Sequence, residues 1–180
     1  VCYPGEEYVL LAFRTEPSTH KSTEALQLLD MILDNSTAGL INLNLVQQQN
    51  VRDAGSESLF LNEHGVQYLW GIPKDGQTLA EVEHLLLEQL NVIKRGEFDP
   101  NLLSAIVTDF KKEQKKDLES NRSRIATLRD AFISHASWDY ALAEIPRLEK
   151  TKKEDIVRVA NQYFGDGYAV VYRLDKQHDI

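Results

Sequence analysis

Residues Leu33 to Pro73 read LDNSTAGLINLNLVQQQNVRDAGSESLFLNEHGVQYLWGIP. A helix ends in the small-residue run Asn35 to Gly39, and a short Leu-rich helix marked by Leu40, Leu43 and Val46 follows to about Gln49. Two strands, Arg52 to Asn62 and Val66 to Pro73, then run out and back across a His64-Gly65 turn. Along the second strand Val66, Tyr68, Trp70 and Ile72 alternate onto one face. Helix, break, short helix and hairpin in this order is the segment around which the rest of the chain arranges itself.

Upstream, Tyr8 to Thr15 (YVLLAFRT) is apolar at successive positions, the pattern of an inner strand covered on both faces. Ser22 or Thr23 caps a helix to about Asp34 that buries Ala25, Leu28, Leu29, Ile32 and Leu33. Downstream, Thr78 and Glu81 form a capping box for a long helix with Leu79, Val82, Leu86, Leu90 and Ile93 at spacings of three and four. Gly96 stops it. Asp99-Pro100 opens another helix, with Leu103, Ile106 and Phe110 inward. A helix from about Arg122 to His135 carries Ile125, Leu128 and Phe132, and Trp138 to Pro146 is a short helix or irregular link. Thr151 and Glu154 make a further capping box, for a helix through Tyr163. Gly165-Asp166-Gly167 turns the chain into a last strand, Tyr168 to Leu174.

This order predicts an α+β fold: a ferredoxin-like β-α-β-β-α-β core, a four-stranded mostly antiparallel sheet, helices largely on one face, and extra helices before the last strand. The absence of repeats and linkers predicts one domain over residues 1–180. With no initiator Met, and a strand almost at its start, the chain reads as a fragment of a longer polypeptide.

The sequence has 180 residues, 42% hydrophobic and 27% charged, with a net charge of −8. That acidity argues against a nucleic-acid partner, which needs a surplus of Lys and Arg. Lys111, Lys112, Lys115 and Lys116 are interleaved with Glu113, Asp117 and Glu119, the pattern of a solvated helix face. No apolar run is long enough to span a bilayer, and Val1 to Glu7 lacks the basic start and apolar core of a signal peptide. The single cysteine, Cys2, cannot close an internal disulfide.

Five histidines, His20, His64, His84, His135 and His178, lack partners at metal-ligand spacing. His84 with Glu81 and Glu88 is the nearest approach to a cluster and reads as a polar helix face. His135 reads as a helix-end residue complementing the dipole. Ser56 lies in a strand and not in a nucleophile elbow. Gly165 and Gly167 precede a strand, so they make a turn and not a phosphate loop. Tyr68 and Trp70 read as a packed sheet face, and Trp138 and Tyr140 as plugs of a helix junction. No residue is assigned a catalytic, cofactor-binding or metal-ligating role.

Three stretches nonetheless form a pattern: YVLLAFRTEPSTHKSTEALQLLDMILDNSTAGLINLNLVQQQNV, FDPNLLSAIVTDFKKEQKKDLESN, and LEKTKKEDIVRVANQYFGDGYAVVYR. In the last, a Thr-capped helix of the form T-x-x-D/E with a spaced Ala and aromatic leads through a turn to a closing strand. From Tyr8 to Arg173 the chain resembles the non-catalytic, C-terminal type of domain of the insulinase/pitrilysin zinc metallopeptidases. The resemblance implies a bacterial parent whose related domains enclose a chamber. It places zinc and an HxxEH helix in a neighbouring catalytic domain, with no cofactor in this one. It implies as partners the other domains of the same polypeptide and the parent's peptide substrate, and export to the periplasm or outer surface. Active members also present an Arg and a Tyr seven residues apart after a Leu. Laid on Leu45, that motif meets Val46 and Asp53, neither of which stabilises an oxyanion. The departure points to the domain that directly follows the catalytic one. Two other readings remain beside this: a stand-alone inactive module that binds proteins or peptides, and an unrelated enzyme using Glu81, His84 and Glu88.

Overall fold

The structure, a computed structural model, describes residues 5–35 and 38–175. Cys2, His178 and the Ser36-Thr37 part of the break lie outside the described residues. Four strands, β1 (Tyr8–Thr15), β2 (Asp53–Phe60), β3 (Gly65–Ile72) and β4 (Tyr168–Arg173), form one sheet in the order β2-β3-β1-β4. Every neighbouring pair is antiparallel. The predicted ferredoxin-like arrangement is the one observed, and the sheet is wholly antiparallel.

Among the described residues seven α-helices accompany it: α1 (Thr23–Leu33), α2 (Leu79–Lys94), α3 (Asn101–Glu119), α4 (Asn121–Ile133), α5 (Trp138–Leu142), α6 (Glu144–Lys150) and α7 (Lys153–Tyr163). The helix stripes read from spacing are the ones that close the core. Leu28, Leu29 and Ile32 of α1, Val82 and Leu86 of α2, and Ile156 and Val159 of α7 are fully buried. They meet Val9, Leu11, Phe13 and Leu69 from one face of the sheet. Each such side chain contributes about 1.5–3 kcal/mol of transfer free energy. The ring of Phe13 stands edge-on to Phe164, with centroids 5.2 Å apart, and tilts against Tyr168 at 5.1 Å. Gly71 permits the close approach of α2, because a Cβ there would lie 2.5 Å from Val82 Cγ1.

Several local expectations are corrected. The short Leu-rich helix is a π-helical turn, Asn42–Val46. Its wider winding buries Ile41 and Leu45, four apart, and leaves Leu43 exposed. The β1 strand is flanked by two strands but covered by helices on one face only, so Leu10 and Ala12 on its other face are half-buried. The face of Val66, Tyr68, Trp70 and Ile72 is likewise the half-buried one, and Gln67 and Leu69 point into the core. Finally, the capping box of α7 is shifted by one residue: Asp155 Oδ2 accepts the Lys152 N–H, while Thr151 Oγ1 donates to the Arg147 carbonyl.

At the start of α1 neither Ser22 nor Thr23 caps with its side chain, and Thr23 Oγ1 donates instead to the Pro17 carbonyl, whereas the ends of α2, α3 and α4 follow their sequence signals. Thr78 and Glu81 exchange both bonds of a capping box, and Asp99 Oδ1 accepts the Asn101 N–H. Gly96 sits at φ +69° beyond α2. His135 takes the equivalent left-handed place after α4 at φ 55°, with Ala136 N–H bonded to the Ala131 carbonyl. This main-chain closure of the helix end is the part His135 plays in capping.

Candidate functional site

The described histidines are spread over separate surfaces. His20 Nδ1 faces the Ser22 N–H in a loop, and His64 meets Arg14 at the hairpin end. His84 lines a shallow hollow of about 460 Å³ with Lys74, Asp75, Gln77, Glu81 and Leu85. Its two carboxylate neighbours are committed elsewhere. Glu81 is held below the usual carboxylate range by the main-chain and hydroxyl donors of Thr78. Glu88 is lowered by the side chains of Asn91 and Arg95. The enzyme reading built on Glu81, His84 and Glu88 therefore finds no convergent pocket. Among the described residues no three His, Cys, Asp or Glu side chains are grouped as metal ligands. Val46 packs half-buried against the core, and Asp53 begins β2 with its carboxylate on the Ala54 N–H.

What the fold does assemble is a set of polar ties between layers, which sequence reading missed. Asp30 projects from α1 under the hairpin. It accepts from Ser56 Oγ at 2.7 Å, Gln67 Nε2 at 2.6 Å and the Ser58 N–H at 3.1 Å. Burial pushes its carboxyl up, while these three donors pull the other way. Both oxygens face donor hydrogens, so this carboxylate does not fit a zinc ligand. One helical turn on, Asp34 Oδ2 accepts the Ser56 N–H at 3.2 Å. The i, i+4 spacing of Asp30 and Asp34 at the end of α1 is the sequence signal that could have found this pair.

A second tie joins α1 to the extra helices. Arg147 pairs with the buried Glu24, donates to the Tyr140 carbonyl and stacks 3.6 Å from the Tyr140 ring centroid. Burial in this group raises the Tyr140 hydroxyl. Tyr140 thus plugs a junction as expected, while Trp138 is 42% exposed. A groove of about 830 Å³ runs beside this tie, between the start of α1, the hairpin end and α4 to α6. Asn62 Nδ2 reaches across to the Ile133 carbonyl. A third tie fastens β4: Glu83 of α2 accepts from the hydroxyls of Tyr168 and Tyr172. The Tyr168 hydroxyl is pushed up to about 12 by that acceptor.

None of these groups forms a nucleophile–base pair with an oxyanion donor, so the geometry is that of a framework with surfaces. On α4, Ile125 is 66% and Phe132 82% exposed.

No protein-family profile matches the sequence, and neither does any curated protein. Solved structures do. The chain is similar to a protease from Helicobacter pylori, at 22% identity and a TM-score of 0.90, over 97% of this chain and 43% of that one. It is similar to the inactive peptidase domain of a candidate zinc protease from Bordetella parapertussis, at 14% identity and a TM-score of 0.85, over 99% of this chain and 97% of that one. It is also similar to an M16 peptidase inactive domain from Pseudomonas fluorescens, at 10% identity and a TM-score of 0.83, over 96% of this chain and 42% of that one. The chain therefore spans less than half of the Helicobacter and Pseudomonas chains and nearly all of the Bordetella chain. Its fold is that of the inactive domains of zinc-protease-like and M16 peptidases.

Proposed function

We propose that the chain is the non-catalytic domain of an insulinase/pitrilysin-type, M16-like zinc metallopeptidase, of the type that directly follows the catalytic domain. In this reading it is one domain, part of a longer polypeptide. It supports its catalytic neighbour, walls part of the chamber, and offers the substrate peptide a sheet or loop surface. Zinc and its activated water belong to the neighbouring domain, and the parent is exported. The observation that carries the reading is the match over almost the whole chain to domains described as inactive peptidase domains. The commitment of Asp30, Glu81 and Glu88 to hydrogen bonds within the fold supports it.

The test is the natural polypeptide with and without residues 1–180. Removing the domain lowers peptide hydrolysis at least tenfold, while the isolated chain neither cleaves peptides nor retains zinc after dialysis. Stoichiometric tight zinc on the isolated chain refutes the assignment.

A second reading is a stand-alone inactive module that binds a protein or peptide partner. An HxxEH segment ahead of residue 1 in the same reading frame decides for the first reading. Its absence there and in the adjacent gene decides for the second.

A further inference from the structure

A groove of about 530 Å³ opens between the C-terminal half of α3, the middle of α4 and the α5–α6 corner. Its walls are apolar. Phe110 and Leu118 come from α3, Leu128 from α4, Trp138 and Leu142 from α5, and the buried Ile145 from α6. Leu118, Leu128, Trp138 and Leu142 are each between 42% and 53% exposed. A single exposed leucine needs no explanation, but four large apolar side chains around one hollow mark a surface for a ligand.

The rim is acidic. Glu113 and Asp117 stand one turn apart on the α3 side, and Glu144 stands on the α6 side. Among the described lining residues Arg124 is the one cation. Its guanidinium is turned to the Leu118 carbonyl and the Asn121 side chain. Glu113 meets Lys116 in an exposed ion pair, and Glu144 accepts from Gln27. Among the described residues the Asp117 carboxylate has no ion-pair or hydrogen-bond partner.

The complementary ligand therefore sets positive charge beside an apolar face. The shape narrows its class. The α3 wall is one helix face, with Phe110, Glu113, Gln114, Asp117 and Leu118 at i, i+3, i+4, i+7 and i+8. From Phe110 to Leu118 it runs about 12 Å, the length of two helical turns. All the walls are helices, whose main chains are bonded internally, so an extended segment finds no edge to pair with. The ridge of another helix does fit a cleft between helices.

We propose that this groove docks a basic amphipathic helix of a partner protein. Three apolar anchors at i, i+4 and i+7 seat on Leu128, Trp138 and Leu142, and a Lys or Arg beside them meets Asp117.

The probe is a synthetic helix of about 14 residues, four turns, with Leu at the anchor positions and Lys beside them. Its fluorescence anisotropy with the natural polypeptide that carries this chain gives a Kd of roughly 1–100 µM. Replacing its Lys by Glu, or its Leu by Ser, weakens binding about tenfold or more. Asp117→Lys and Leu128→Ser each weaken it about fivefold or more, with unchanged circular dichroism, because both side chains are exposed. Glu63→Lys, the same change of charge in the exposed hairpin turn, leaves it within about twofold. A Leu/Lys probe that fails to bind overturns the inference. So does equal binding of the Ser-substituted probe, which would show charge attraction alone, or an equal loss at Asp117→Lys and Glu63→Lys. Hexylammonium binding as tightly as the probe also overturns it, since the groove would then be a small-molecule pocket.

Discussion

Helices α1 and α4 carry comparable apolar spacing and meet opposite fates. In α1, Leu28, Leu29 and Ile32 are wholly buried against sheet and α7. In α4, Ile125, Leu128 and Phe132 recur just as regularly and lie in the open. Periodicity thus specifies a helix and the width of its apolar stripe; whether the stripe is covered depends on what the fold places opposite. For α1 that is a central strand. For α4 it is the loose corner of α3 and α5, and the described residues leave its stripe uncovered.

Substitutions test this contrast. Leu29→Ala destabilises by about 3–4 kcal/mol in urea titration, since a fully buried leucine leaves a cavity. Asp30→Ala follows at about 2–3 kcal/mol, because the Ser58 N–H, the Ser56 hydroxyl and the Gln67 amide all lose their acceptor. Asp30 also gives a pH signature. Its carboxyl titrates above the ordinary value of 3.8 in the fold, so the folded state holds the proton more tightly than the unfolded chain. The stabilisation is full below pH 3.8 and fades as pH rises through the folded-state value. Asp30→Asn removes that slope, which melting curves across the acidic range read. At the surface, Glu83→Gln brings the Tyr168 hydroxyl from about 12 back toward 10.0, followed by ultraviolet titration. The smallest effect is at Phe132: Phe132→Ser changes the stability of the chain by under about 0.5 kcal/mol. A loss of 2 kcal/mol there would show that α4 is covered after all.

The elements, their order and the sheet class were legible because each rests on local chemistry: the α1 and α2 stripes, the Thr78 box and the Gly96 stop. The π-helical turn was not, since Leu40 and Leu43 look as good as Ile41 and Leu45 until the winding is known. The Thr151 box failed because its hydroxyl is drawn to the Arg147 carbonyl in α6, a helix that runs on past Pro146, where the short helix or irregular link read from sequence ended. The polar ties were the least legible. Asp30, Gln67 and Ser58 are far apart in sequence, and only the register of β2 on β3 and the placement of α1 bring them together. A resemblance in spacing reached the inactive-domain fold; no spacing rule finds a carboxylate that caps another element's strand.

The central strand β1 completes its pairing late. Its β3 neighbour is in place by Ile72, but its other neighbour begins at Tyr168, 96 positions further on. At about 5–20 residues per second on the ribosome, Leu10 and Ala12 hold an unsatisfied flank for roughly 5–20 s. During that interval the nascent chain presents its stickiest strand to the cell, and the Glu83 latch cannot close until both tyrosines have emerged.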